Sequence, residues 1–264
     1  SDEKFLSQWG KALLDEYPDF SMVGEEWSNN PAIVAHWQRG KINPDGHVPY
    51  MPSMMDFPIH EALRSALSEP EAWGTGTVRL YEALANDFVY PDAGNLVIFA
   101  ENHDTSRIYS LLDEDVDLFK MAMVYMASMR GIPQFYYGSE ILMTSPKERD
   151  DGAVRADMPG GWNGDAKNAF TGKGLTAKER DMQDFMKKLL NWRKSSEVVH
   201  SGKLQHFAPT DGVYVYFRYL DKRAVMVVLN KNAEPKRLEL KRFHQFLSDK
   251  KAGLDVMSGK SVSL

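Results

Sequence analysis

The chain contains no cysteine. That excludes a disulfide framework and a thiolate metal site, and it leaves the compartment open. No apolar run approaches the roughly 18 residues of a membrane span, and no charged segment followed by an apolar stretch opens the sequence. Net charge is only −5 and no basic stripe interleaves with aromatics, which makes nucleic acid a poor partner. The histidines, among them His36, His47, His60 and His103, include no pair at helical ligand spacing, so no metal site is expected. Neither a G-x-S-x-G elbow nor a phosphate-cradling glycine motif is present. What remains is the composition of an ordinary globular protein, 43% hydrophobic and 26% charged. With six Trp, eleven Tyr and thirteen Phe it is rich in aromatics, which suits a large core and also sugar stacking.

One stretch organises the rest. Leu96-Val97-Ile98-Phe99-Ala100 runs directly into Glu101-Asn102-His103-Asp104-Thr105-Ser106-Arg107. The apolar run predicts a strand buried on both faces, as in a parallel sheet. Polar groups at the carboxyl end of such a strand are how α/β folds build their sites. The simpler alternative is a strand end that caps the next helix, with Asp104 or Thr105 as the cap.

The same order of elements recurs along the chain. Residues 4–16 predict an amphipathic helix with Phe5, Trp9, Ala12 and Leu13 on its apolar face. A strand over 20–24 ends in the cluster Glu25–Asn30, a strand over 53–58 contains Asp56, and a strand over 131–137 ends in Gly138-Ser139-Glu140. Helices are expected from Ile59, over 78–84, over 116–129 and over 176–195, the last opened by the capping box Thr176-Ala177-Lys178-Glu179. Four strand–cluster–helix units predict a parallel sheet with helices outside it and the clusters at one end. Residues 144–175 read as a long functional or mobile loop. After residue 200 the period changes, with antiparallel strands expected over 212–219, 223–230 and 237–240. The expected organisation is α/β, with residues 1–200 as one domain and 201–264 as an antiparallel β-domain. With a helix at residue 1 and a strand at residue 264, the chain reads as cut at both ends.

Glu25 and Asp104 each fall at the end of a predicted parallel strand. Paired carboxylates supply what glycosidic cleavage requires: a proton for the leaving oxygen and negative charge near an oxocarbenium-like transition state. The donor needs a partly apolar surround to stay protonated, which Met22, Val23 and Trp27 could provide. Glu26, at strand alternation, is expected to point away and serve structure. On the residues alone, a carboxylate hydrolase of unknown substrate and a protein without chemistry both stay open.

Three segments then become specific. Met22-Val23-Gly24-Glu25-Glu26-Trp27, Ile98 through Arg107, and Gly131-Ile132-Pro133-Gln134-Phe135-Tyr136-Tyr137-Gly138-Ser139-Glu140 resemble, in order and spacing, the strand-5, strand-7 and strand-8 signatures of the α-amylase superfamily. Met55-Asp56-Phe57-Pro58 is similar to the strand-6 segment of its neopullulanase and cyclomaltodextrinase branch. The resemblance spans the whole chain. It implies strands 5–8 of a (β/α)8 TIM barrel with their helices, followed by most of a C-terminal β-sandwich. It further implies Glu25 as general acid/base, Asp104 as the acidic residue that stabilises the transition state, and His103 as a contact to substrate hydroxyls. Asp151 and Arg155 resemble the pair that holds sugars farther along, and Trp27 is a candidate for stacking on a pyranose.

The departure from the family pattern is equally informative. The family's nucleophilic aspartate lies on strand 4, in a motif with an arginine two residues before it, and no strand-4 motif of that form occurs here; Asp56, on the strand-6 segment, does not match its context. The resemblance thus implies a fragment of a retaining glycosidase acting on maltodextrin, cyclodextrin or pullulan, inactive by itself. No cofactor is implied within the fragment, and a calcium site belongs to the longer parent, upstream. An α-glucan is the implied partner, and self-association through the exposed barrel edges is expected of the fragment. The rival readings are an α-glucan transglycosylase or isomerase of the same superfamily, and a glucan-binding module without chemistry.

Overall fold

The computed structural model describes residues 2–264. In chain order its elements are α1 (Glu3–Glu16), β1 (Val23–Gly24), α2 (Pro31–His36), β2 (Ser53–Met54), α3 (Phe57–Ser68), α4 (Val78–Leu84), β3 (Val97–Phe99), α5 (Ile108–Leu111), α6 (Val116–Ser128) and β4 (Ile132–Gln134). Then come α7 (Asp151–Val154), α8 (Ala177–Ser195), α9 (Glu197–Ser201), β5 (Lys203–Thr210), β6 (Val213–Leu220), β7 (Arg223–Asn230), α10 (His244–Leu247), β8 (Ala252–Leu254) and β9 (Ser261–Ser263). These elements form two compact units that do not follow chain order: residues 1–102 with 130–135, and residues 103–129 with 136–264.

The first unit is built on parallel strands. β1 pairs with β2 and β3 with β4, and a parallel bridge between Met55 and Val97 joins the two pairs. The strands therefore lie in chain order, as successive βα units require. They are shorter than the apolar runs suggest. The expected strand over 53–58 stops at Met54, because Asp56 caps α3: its Oδ1 accepts from the Ile59 amide at 3.1 Å. Phe57 and Pro58 then form the first helical turn, where proline's missing N–H costs nothing. Gly131 leads into β4 at φ +97°, and a Cβ there would lie 2.7 Å from the Leu96 carbonyl oxygen, so only glycine fits.

Of the face expected to pack inward on α1, only Leu13 does so. Phe5 and Trp9 are 62% and 44% exposed, whereas Leu6, Leu13 and Leu14 pack against Met22, Val34, Met51 and Met54. The reason is Gly10, which sits so close to Tyr50 that an added Cβ would come within 2.8 Å of its Cβ. The smallest residue, rather than the largest, sets the contact stripe.

In the second unit α6 is buried along most of its length, as its all-round apolar sequence requires. The expected capping box of α8 is present, Thr176 and Glu179 each satisfying the other's amide. β5, β6 and β7 form an antiparallel meander, and β8 pairs antiparallel with β9. Two corrections arise here. The strand expected over 237–240 is absent: Leu238 and Leu240 instead pack loosely on the Val213–Phe217–Phe243 cluster, and residues 240–243 make a 3-10 turn. Conversely β5 was not foreseen. Pro209 cannot donate to a ladder, and the β5–β6 register shifts between Phe207 and Thr210 to accommodate it. A buried hydrogen bond between Ser128 Oγ and Tyr216 OH (2.6 Å), with Arg218 donating to the Ser128 carbonyl (3.1 Å), ties β6 to the end of α6.

Candidate active site

In the first unit, β1 delivers Glu25, Glu26 and Trp27. Gly24 packs closely on Met54, whose Sδ would lie 2.5 Å from a Cβ added there. Glu25 is exposed and lines a cavity of about 370 Å³ whose other walls include Met22, Val23, Met51 and Met54. Of the apolar neighbours expected beside Glu25, Met22 and Val23 line this cavity and Trp27 is not among its lining residues. Glu26 accepts from Trp37 Nε1 at 2.9 Å, and it lines the same cavity as Glu25 rather than pointing away as expected. Trp27 stacks on Phe57 with ring centroids 5.1 Å apart, and it stays half exposed.

Asp56 is fully buried and occupied. Besides capping α3 it accepts from Arg130 Nη1 at 2.7 Å, and Arg130 also grips Asp87 through Nε (2.8 Å) and Nη2 (2.5 Å). Burial pushes the Asp56 carboxyl above its ordinary value, against the pull of the Arg130 guanidinium. A carboxyl so enclosed cannot reach a substrate.

In the second unit four of the expected site residues come together. Arg155 Nη2 lies 2.5 Å from Asp104 Oδ1 and 3.3 Å from Asp151 Oδ2, and Arg155 Nε donates to the His103 carbonyl at 2.9 Å. His103 Nε2 is 3.4 Å from Asp104 Oδ2. Neither Asp104 nor Thr105 caps the following helix, since α5 starts after Arg107 without a side-chain cap. The capping alternative for this cluster therefore does not hold.

Two arginines complete the cluster. Arg149 donates to both oxygens of Asp151, at 2.7 and 3.1 Å, and lies 3.8 Å from Asp104 Oδ1. That hydrogen bond, with Arg149's charge and then Arg155's, holds the Asp151 carboxyl below its ordinary value. Arg107 is completely buried, donates to the carbonyls of Tyr137 (2.5 Å) and Val154 (3.1 Å), and lies 4.2 Å from the centre of the Tyr136 ring. Tyr136 stays neutral, its phenol pushed up to about 12, first by burial and then by Tyr137. Arg107 thus fixes the carbonyl next to Arg155, while Arg155 fixes the carboxylate three residues before Arg107. Arg149 was not among the expected site residues, because no motif or periodicity in the sequence marks it. Arg107, by contrast, belongs to the polar cluster that follows the buried strand β3, and its place there is the signal that marks it.

A carboxylate held between guanidinium groups beside an imidazole can accept from several hydroxyls in fixed positions, which suits a polyol. The catalytic-domain model of alpha amylase matches residues 1–203. The chain belongs to the alpha-amylase family. The C-terminal domain model of cyclo-malto-dextrinase matches the remaining residues, 204–264, of this alpha-amylase family chain. Among curated relatives, alpha-amylase 3 of Dictyoglomus thermophilum is 26% identical over 255 residues, covering 88% of this chain and 47% of that protein. The cyclomaltodextrinase of Geobacillus thermopakistaniensis is 25% identical, covering 88% of this chain and 35% of that protein. The cyclomaltodextrin glucanotransferase of Geobacillus stearothermophilus is also 25% identical, covering 85% of this chain and 28% of that protein. The chain thus spans less than half the length of these relatives. In fold it is similar to the alpha-amylase of Geobacillus thermoleovorans, solved with acarbose: TM-score 0.77 at 21% identity, covering 99% of this chain and 53% of that one. The fold is α/β, a partial (β/α)8 barrel followed by an antiparallel β-domain.

Proposed function

We propose that the protein carrying this chain hydrolyses α-glucosidic bonds in starch-type glucans, such as maltodextrin, cyclodextrin or pullulan, with retention of configuration. The observation that carries this reading is the fixed Asp104–Arg155–Asp151 cluster directly after a parallel strand of an alpha-amylase family chain. Glu25 protonates the leaving glycosidic oxygen and, in the second half-reaction, takes a proton from the attacking water. Asp104 accepts from sugar hydroxyls and stabilises positive charge developing on the ring, and it does not attack. His103 contacts a substrate hydroxyl, Arg155 and Asp151 hold a sugar farther along, and Trp27 stacks on a pyranose with the ring face that Phe57 leaves open.

No aspartate of this chain stands in the family's nucleophile context, so the 264-residue chain alone binds maltodextrin without cleaving it. Incubating the purified chain with maltodextrin tests this. Release of reducing sugar, abolished by Glu25→Gln, would overturn the inactivity and still leave the role of Glu25 intact. In the full-length protein Glu25→Gln lowers kcat by about 100-fold or more. Unchanged kcat would refute the assignment.

The glucanotransferase relative favours a second reading, in which a sugar rather than water is the acceptor. Product analysis on maltotriose decides between them: hydrolysis gives shorter sugars only, and transfer gives longer ones as well. The isolated chain also self-associates in this reading. β1 and β4 each have a ladder partner on one side only among the described residues, and Val23 and Ile132 on them are about half exposed. A monomeric mass by light scattering at high concentration would refute that.

A further inference from the structure

Three potential metal donors converge in the first unit, away in sequence from every residue assigned above. Glu3 stands in the first turn of α1, His36 ends α2, and His47 lies in the loop before β2. One carboxylate oxygen and one nitrogen from each imidazole all lie within 4.8 Å of one another. Glu3 Oε1 is 2.9 Å from His36 Nε2, and the two imidazole rings are nearly parallel with centroids 4.7 Å apart.

The state of His47 can be read from its neighbours. The Ser7 hydroxyl donates its one hydrogen to the Val48 carbonyl at 2.8 Å, and Ser7 Oγ also lies 3.3 Å from His47 Nδ1. With that hydrogen committed, Ser7 Oγ accepts, so Nδ1 of the neutral ring carries the proton and Nε2 carries the lone pair. His47 Nε2 is shielded from solvent and has no hydrogen-bond partner. An imidazole whose one nitrogen is oriented by a second group, and whose other presents a lone pair with nothing to receive it, is arranged as metal-binding histidines are.

We propose that Glu3, His36 and His47 bind a divalent transition-metal ion, for which zinc is the natural probe. Two imidazoles and one carboxylate make a three-ligand zinc set with the fourth position open to water. The same donors select against calcium and magnesium, which take oxygen shells. At metal–ligand distances near 2.1 Å, tetrahedral donors lie about 3.4 Å apart, so the three must draw in somewhat. Glu3, about half exposed, and His36 supply that movement, while Ser7 keeps His47 oriented. The ion then fastens α1 to α2 and the 47 loop. No spacing motif announces this site, because its three ligands come from separate segments.

The test is a calorimetric titration of the untagged, chelator-treated chain with zinc, repeated with calcium, together with the visible spectrum of the cobalt-loaded chain. One equivalent of zinc should bind, calcium should not, and cobalt should give the strong bands of a four-coordinate ion. His36→Ala, His47→Ala and Glu3→Gln should each weaken zinc at least tenfold, and Ser7→Ala should weaken it less. Glu3→Gln alters an exposed helix position, so its effect is read on a folded chain, with far-UV circular dichroism as the check. Absence of zinc binding, or stoichiometric binding that survives His47→Ala and Glu3→Gln, would overturn the proposal.

Discussion

Arg155 holds Asp104 by a 2.5 Å contact from Nη2 to Oδ1, and its Nε reaches the backbone of the neighbouring His103. The guanidinium therefore fixes both the carboxylate and the turn that carries it. Lysine offers the charge without the fork and cannot do both. Arg155→Ala in the full-length protein should lower kcat/KM on maltotriose roughly 10- to 100-fold, the worth of a hydrogen bond to a charged group at about 1.5–3 kcal/mol. Arg155→Lys should recover only part of this. Steady-state kinetics of the two variants is the check, and an unchanged kcat/KM would show that Asp104 is positioned without Arg155.

Arg130 lies between two carboxylates, Asp56 at 2.7 Å and Asp87 at 2.5 Å, with Asp56 entirely inside. Removing the guanidinium leaves a buried carboxyl without its cation, so Arg130→Met should cost about 3–5 kcal/mol in urea unfolding. Asp56→Asn keeps an N-cap side chain for α3 and leaves Arg130 with Asp87, so it should cost less, about 1–3 kcal/mol. Equal losses in the two variants would contradict this ordering.

Much of this fold was legible because apolar runs ending in polar clusters repeat at strand positions, and the period changes after residue 200. The cluster around Asp104 was legible for the same reason: Glu101–Arg107 interrupts every apolar pattern. What escaped was set by close approach and long-range partners. The buried face of α1 depends on Gly10 meeting Tyr50, a contact 40 residues away that no helical wheel contains. The β5 strand hides behind Pro209, whose missing donor is absorbed by a register shift. Arg149 joins the site only because the loop folds back, and the convergence of Glu3, His36 and His47 is tertiary throughout.

His60 is buried against Phe99, its ring stacked at 4.6 Å, and burial lowers it to about 4 from an ordinary 6.5. The unfolded chain therefore binds the proton more tightly than the folded one between about pH 4 and 6.5. In that window stability rises with pH, so the contribution is complete above about 6.5 and is lost on acidification, by up to about 3 kcal/mol. Urea midpoints from pH 7.5 to 4.5 should fall more steeply for the wild-type chain than for His60→Gln, which has no proton to take up there. Parallel pH profiles would show that other groups govern the acid limb.

Gly131 joins α6 to β4 at φ +97°, and its backbone passes so near β3 that a Cβ would stand 2.7 Å from the Leu96 carbonyl oxygen. That same carbonyl accepts from the Ile132 amide at 2.8 Å, the hydrogen bond that opens the β3–β4 ladder. Alanine there carries both the left-handed backbone cost, about 1–3 kcal/mol, and a backbone clash that no rotamer relieves. Gly131→Ala should therefore destabilise by at least about 2 kcal/mol in urea unfolding. It should also expose the Ile132 amide to hydrogen exchange, because the residue can be accommodated only by lengthening that bond. Gly164→Ala is the control, since it has φ +98° with nothing within 4 Å of its Cβ. It bears the conformational cost alone, so the difference between the two variants isolates the steric contribution of the β3–β4 approach.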